Sequence, residues 1–191
     1  MTTTYLFNPF KYIAGWKALA IGWAIMLVTA CIAWYGKTHF NGVIDAHYGI
    51  AAPFVMYVFD AAIAWAFPVI LFYAAALIFS GSSVRLIDMA GTMALARAPM
   101  IFVALLFLAM PPVKSIRQIN DIHDIGAGIL LISVGAVIFT IWVVALMYRA
   151  FSVSANLKGN RAVWIFVVTL AMAETASQFV FYPIYQHLLQ L

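Results

Sequence analysis

The stretch VRLIDMAGTMALARAP, residues 84–99, decides the fold of this chain. It begins with two charged residues, Arg85 and Asp88, continues as an apolar helix rich in small side chains, and carries Arg97 well beyond its charged start. An arginine inside an apolar helix is costly in lipid and needs polar partners from the bundle interior. The stretch therefore predicts a membrane helix that starts at a water-facing edge and buries Arg97.

The composition of the whole chain agrees with this interpretation. Hydrophobic residues make up 66% of the 191 residues and charged residues only 8%, whereas an average soluble domain has about 45–50% and about 25%. A soluble domain of this length cannot hide so much apolar surface in its interior. The net charge of +4 is therefore taken as a signal of membrane topology, and no nucleic-acid partner is expected.

Five apolar runs are long enough to cross a bilayer as helices. They predict a single-domain, all-α, polytopic integral membrane protein that folds as a five-helix transmembrane bundle. Polar connections separate the runs, and those at 36–53 and 113–125 are expected to face water on the outer side. The predicted spans cover residues 18–35, 54–79, 89–110, 126–147 and 162–185.

The first run admits a second interpretation. Residues 28–31, VTAC, resemble a bacterial lipoprotein cleavage box, which would make the residues before Cys31 a removed leader. The apolar segment of such a leader has about 7–15 residues and then stops. Here the apolar run continues beyond Cys31 as far as Tyr35, which favours a membrane span.

Positive charges are distributed unevenly between the predicted connections. The N-terminal segment and the second and fourth connections carry six Lys and Arg residues, against three on the opposite side. Because cytoplasmic loops are enriched in these residues, the N-terminus is predicted inside and the C-terminus outside. Basic residues beside the membrane attract anionic headgroups, so membrane lipids are expected partners. The predicted inner-face charged patch consists of Arg85, Asp88, Arg149, Lys158 and Arg161.

Four polar residues inside the spans form a candidate intramembrane cluster. With a helical rise of about 1.5 Å per residue, three of them reach similar depths in the bilayer. We expect an ion pair between Arg97 and Glu174, with Asp60 nearby. The cluster is interpreted as a latch that fixes helix packing, or alternatively as a pathway for protons or ions. Its members are Asp60, Arg97, Glu174 and Gln178.

Histidine and aspartate residues recur in the two connections predicted on the outer side. Imidazole and carboxylate groups are ligands of zinc and other divalent metals. Neither spacing is a known zinc signature, and Asp is common in caps and turns. A divalent metal is therefore an alternative, and no other cofactor is expected. The candidate ligands are Asp45, His47, Asp121, His123 and Asp124.

Several parts of the chain resemble the Yip family (Ypt/Rab-interacting proteins), specifically its bacterial members. Residues 8–11, NPFK, precede the first span, residues 84–99 match the family's small-residue helix that ends in Pro, and the fourth span leads into residues 156–159, NLKG. The resemblance covers nearly the whole chain. It implies a Yip domain of five spans in a bacterial inner membrane, of unassigned function and without catalytic residues.

The expected function is therefore a non-enzymatic one. The protein would organise the membrane or bind lipids, a membrane-protein partner or a second copy of itself. One alternative is a small ion- or proton-coupled transporter that uses Asp60, Arg97 and Glu174, and another is the outer-face metal site. The sequence contains no phosphate-binding loop, paired cysteines, zinc-protease motif or nucleophile elbow that would name a reaction.

Overall fold

The computed structural model describes residues 8–49, 51–111 and 126–189. In this part of the chain, five helical segments are long and apolar enough to cross a membrane. This confirms the predicted all-α five-helix bundle and the assignment to membrane proteins. The helices are α1 (Gly15–Gly36), α2 (Phe54–Phe79), α3 (Leu86–Ala96), α4 (Met100–Phe107), α5 (Ala127–Ser154) and α6 (Gly159–Leu189).

The third span consists of α3 and α4 together, Leu86–Phe107. The helix ends at Ala96 and resumes at Met100, because Pro99 has no backbone N–H to continue the hydrogen-bond ladder. This span is the centre of the bundle: 67% of it is buried, against 33% or less of each other span. The opening stretch of the sequence is therefore the element around which the other helices pack.

Small residues bring α1 and α3 into close contact. A side-chain carbon added to Gly22 would lie 2.6 Å from the backbone carbon of Ala94. One added to Gly91 would collide with the backbone oxygen of Gly15. Helices in membranes associate by such close van der Waals packing, because lipid supplies no hydrophobic force between them.

The fourth span extends further than its predicted end at residue 147, since α5 continues to Ser154. Ala150 and Phe151 explain the extension, because both are fully buried and the Phe151 ring lies 5.0 Å from that of Phe72. The connection to α6 is thus a short turn at residues 155–158. Asn156 adopts a left-handed backbone there (φ 51°).

The connection after α1 folds back into the bundle. Lys37 reverses the chain with a left-handed backbone (φ 53°), and β1 (Thr38–His39) then pairs antiparallel with β2 (His47–Tyr48). We call residues 37–49 the ribbon segment. Thr38, His39 and Val43 are fully buried. The prediction that this connection faces water was wrong for its first half.

The two ends of the bundle differ in the connections that they contain. At one end, the Ser80 hydroxyl donates to the Ala155 carbonyl oxygen at 2.7 Å, and Gly15 packs against Gly91. This end, formed by Gly15 and residues 80–85 and 155–158, is called the basic end. The opposite end, covered by the ribbon segment, is called the ribbon end.

Candidate functional site

A buried polar triad lies directly beneath the ribbon segment. The Asp60 Oδ2 atom is 2.7 Å from His39 Nδ1 and accepts a hydrogen bond from the Tyr185 hydroxyl at 2.6 Å. The same hydroxyl lies 2.5 Å from His39 Nδ1, so the three groups contact one another. All three side chains are buried, and Asp60 is only 1% exposed. The triad joins three separate elements: β1, α2 and α6.

Local sequence explains how each side chain reaches this point. On α2, Tyr57 and Asp60 occupy one inward face, and the Tyr57 ring stacks on His39 with ring centroids 4.0 Å apart. Strand pairing with His47 holds His39 in place. On α6, Tyr185 ends a buried stripe with the four-residue spacing of one helix face. The other members of this stripe are Ala173, Ser177 and Phe181.

The second carboxylate oxygen of Asp60 has a different environment. Oδ1 is buried and, among the described residues, has no hydrogen-bond partner. Asp60 also lines a small cavity of about 20 Å³, together with Thr29, Thr38 and Arg97. A cavity of roughly 10–15 Å³ or more can hold a single water molecule when polar groups line it. The cavity therefore has room for one water, and none for an organic substrate.

Arg97 does not form the predicted ion pair. Its side chain is 4% exposed, and Nη1 donates to the carbonyl oxygens of Val43 at 2.6 Å and Ala64 at 3.2 Å. Within the described part of the chain, no ion pair joins Arg97 to Glu174. The expectation of a direct pair was wrong because the ribbon segment occupies the space between the two side chains.

A single peptide group connects the two charges instead. The Val43 carbonyl accepts from Arg97, and the adjoining N–H of Ile44 donates to Glu174 Oε2 at 3.0 Å. These two atoms belong to the same peptide unit, whose C=O and N–H point in opposite directions. The guanidinium and the carboxylate therefore bind opposite sides of one backbone group.

Glu174 is held on its other side by its own helix. The Gln178 amide donates to Glu174 Oε1 at 2.9 Å, as expected for residues four apart on a helix. Gly42 gives the carboxylate room, since an added side-chain carbon there would lie 2.6 Å from Oε1. The four predicted cluster residues thus lie in one region, with partners that differ from the predicted ones.

Sequence reasoning missed His39 and Tyr185. His39 was assigned to a water-facing connection because Lys37 and several other polar residues surround it. The apolar residues Phe40, Val43 and Ile44 were a signal that this connection is partly buried. Tyr185 could have been found from its helical spacing to Ser177.

The predicted metal ligands are only partly described. Asp45 Oδ2 lies 3.7 Å from His47 Nδ1, and both side chains are about half exposed. His47 Nδ1 is closer to Asn41 Oδ1, at 2.6 Å. The described residues contain no group of three or more His, Cys, Asp and Glu side chains placed to hold a metal ion. The remaining predicted ligands, Asp121, His123 and Asp124, lie outside the described residues.

The predicted charged patch lies at or near the basic end and faces away from the protein. The Arg85 side chain is 74% exposed, with its Nε 3.7 Å from Asp88 Oδ2. Arg149 is exposed too, and its guanidinium carbon lies 6.0 Å from the centre of the Tyr148 ring. Lys158, in the turn before α6, and Arg161, in the first turn of α6, are both exposed. These cations are therefore free to meet charges outside the bundle.

An open groove runs between α2 and α6 in the half of the bundle nearest the basic end. It has a volume of about 440 Å³, and Thr169 is its only polar lining residue. Arg161 lies one helical turn before Ile165, on the same face of α6. The groove is lined by Leu71, Ala74, Ala75, Ile78, Phe79, Trp164, Ile165, Val168, Thr169 and Met172.

The chain was compared with family models, curated proteins and solved structures. The chain matches no family model, no curated protein and no solved structure.

Proposed function

We propose that this chain is a non-enzymatic integral membrane protein of the Yip type, which binds anionic lipid at its basic end and thereby organises the surrounding bilayer. The observation that supports this proposal is the apolar groove between α2 and α6, whose α6 lining begins within one helical turn of the exposed Arg161, with the exposed Lys158 just before the helix. An acyl chain suits the groove, and a negatively charged headgroup suits the basic residues at the start of the helix that lines it. In this arrangement the basic end lies in the cytoplasm of a bacterial cell.

Charge supports an anionic headgroup over a neutral one. A Lys or Arg near an anionic membrane surface contributes about 1 kcal/mol of attraction. Both basic residues are exposed, and Trp164, which is 70% exposed on the next turn, is a residue type that favours the membrane interface. The ligand class is therefore an anionic phospholipid.

The buried polar residues support a structural contribution to this role. Arg97 uses its guanidinium to hold the ribbon segment and α2 by their carbonyl oxygens. The cavity beside it has space for one water, and Glu174 is not among its lining residues. This favours the packing latch over a continuous transport pathway, and the small volume favours a role other than catalysis.

Lipid binding can be tested with purified protein in a mild detergent. Phosphatidylglycerol or phosphatidylcholine is added, and bound lipid is counted by native mass spectrometry. We expect retention of phosphatidylglycerol over phosphatidylcholine, lost when Lys158→Gln and Arg161→Gln are combined. The matched control is Lys37→Gln at the ribbon end, which should keep the preference. Equal retention of both lipids by the unmodified protein would refute the proposal.

The groove itself has a separate test. Ala74→Trp places a large ring in the groove and should reduce retention of both lipids. Leu77→Trp, on an exposed position of α2 outside the groove lining, should leave retention unchanged. Unchanged lipid binding in both variants would show that the acyl chain lies elsewhere.

A further inference from the structure

We propose that the His39–Asp60–Tyr185 triad binds and releases a proton, which reaches it from the ribbon end only. This function is independent of lipid binding at the basic end. Its ligand is a proton from water, and the step forms one O–H bond on the Asp60 carboxyl while a hydronium ion loses that proton and becomes a water molecule. Nothing is oxidised or reduced.

The surroundings of Asp60 favour proton uptake. The ionisable groups around Asp60 are His39 from the ribbon segment, Tyr57 from α2, Arg97 from the third span and Tyr185 from α6. Arg97 gives its hydrogen bonds to backbone carbonyl oxygens, and Asp60 Oδ1 has no hydrogen-bond partner among the described residues. A buried carboxylate oxygen without a partner is costly when the group is ionised. One added proton on the Asp60 carboxyl removes that charge.

The geometry lets a proton be added without moving the side chains. The three atoms concerned lie 2.5–2.7 Å apart in all three pairings. Imidazole and carboxyl groups each exist in forms that donate or accept a hydrogen bond, and a phenol does both. The contacts of Asp60 Oδ2 can therefore persist after a proton is added to the carboxyl, whose other oxygen, Oδ1, has no partner among the described residues.

A cavity at the ribbon end supplies the access route. It has a volume of about 210 Å³ and is lined in part by Asn41, His47, Gln178, Tyr185 and Gln186. His47 is about half exposed at this end. Tyr185 therefore lines the cavity and also contacts Asp60 through its hydroxyl, so that it can relay a proton between water and the carboxylate.

Arg97 closes the route on the far side. The small cavity beyond Asp60 is lined by Arg97, whose guanidinium is fixed by two carbonyl oxygens. A fixed positive charge in a narrow passage repels protons and other cations. The proton route therefore opens to water at the ribbon end and stops at Arg97, whereas a channel would cross the whole bundle.

Infrared difference spectroscopy between acidic and alkaline pH tests proton binding directly. We expect a carboxylic-acid C=O band that grows as pH falls, is abolished by Asp60→Asn, and is kept by the exposed control Asp45→Asn. Because Asp60→Asn could prevent folding, Tyr185→Phe gives a second readout. Loss of its hydrogen bond should shift the band to higher frequency, while Tyr182→Phe, on an exposed tyrosine of the same cavity, should not. Absence of such a band, or a band unaffected by Asp60→Asn and Tyr185→Phe, would overturn the proposal.

The access route is tested by blocking it. In a Cys31→Ser background, Gln186→Cys introduces a thiol at the cavity and Ser83→Cys introduces one at an exposed position of the basic end. Each is labelled with a bulky thiol reagent, and the rise of the band is followed after a rapid pH drop. We expect several-fold slower protonation only with the label at residue 186. Equal rates for both labelled proteins, or slowing by the label at residue 83, would refute access from the ribbon end.

Discussion

Arginine occurs at both ends of this bundle in opposite settings. At the basic end, Arg85 is 74% exposed and lies 3.7 Å from Asp88. Towards the ribbon end, Arg97 is 4% exposed and donates to two backbone carbonyl oxygens. The first can exchange partners with water and lipid headgroups at little cost, whereas the second cannot lose its partners without leaving buried polar groups unpaired. One end is therefore suited to meeting outside ligands, and the other to holding the bundle together.

The largest expected effect comes from removing the buried arginine. Arg97→Met leaves the Val43 and Ala64 carbonyls without their donor. We expect a loss of about 3–5 kcal/mol in the free energy of unfolding, because a hydrogen bond from a charged group contributes about 1.5–3 kcal/mol and two are lost. Unfolding by increasing the denaturing detergent fraction, followed by tryptophan fluorescence, measures it. Arg85→Met should hardly change the free energy of unfolding, because exposed ion pairs contribute little to stability. Equal destabilisation by both would erase the contrast between the two ends.

A glycine comparison is expected to give a smaller effect. Gly42→Ala places a methyl group 2.6 Å from Glu174 Oε1 and 2.7 Å from the Asp45 side-chain carbon. Overpacking of this kind costs about 1–3 kcal/mol. At the basic end, a side-chain carbon added to Gly81 meets nothing within 4 Å. Gly81→Ala should therefore leave the unfolding curve unchanged. If Gly42→Ala were as stable as Gly81→Ala, the packing of the ribbon segment on α6 would be looser than described.

The smallest effect concerns the turns of the basic end. Ser80→Ala removes the hydrogen bond to the Ala155 carbonyl, which links the turn after α2 to the turn before α6. We expect a loss of about 0.5–1.5 kcal/mol, typical of one such bond. Ser83→Ala, at an exposed serine of the same turn, is the control. A loss from Ser80→Ala as large as that from Arg97→Met would mean that both ends stabilise the bundle equally.

The spans were predictable because bilayer thickness sets a minimum length of apolar sequence. The depth estimate for Arg97 and Glu174 also placed them in one region. Their actual partners were not predictable, since Val43 and Ile44 act through backbone atoms that are the same in every residue. The burial of the ribbon segment was not predicted either. Lys37 and His47 are exposed or half exposed and lie on either side of a buried stretch, so the average polarity of the connection indicated a water-facing loop. The extension of α5 depends on tertiary contacts of Phe151 that no local pattern encodes.

The peptide between Val43 and Ile44 lies between a positive and a negative side chain, so each charge polarises it in the same sense. Electron density drawn towards the guanidinium through the carbonyl makes the adjoining N–H a stronger donor to the carboxylate. Arg97 and Glu174 are thus energetically coupled without touching, and the loss of either weakens the bond that the other makes. A double-mutant cycle of Arg97 and Glu174 should therefore give a non-zero coupling energy, although no ion pair joins the two side chains.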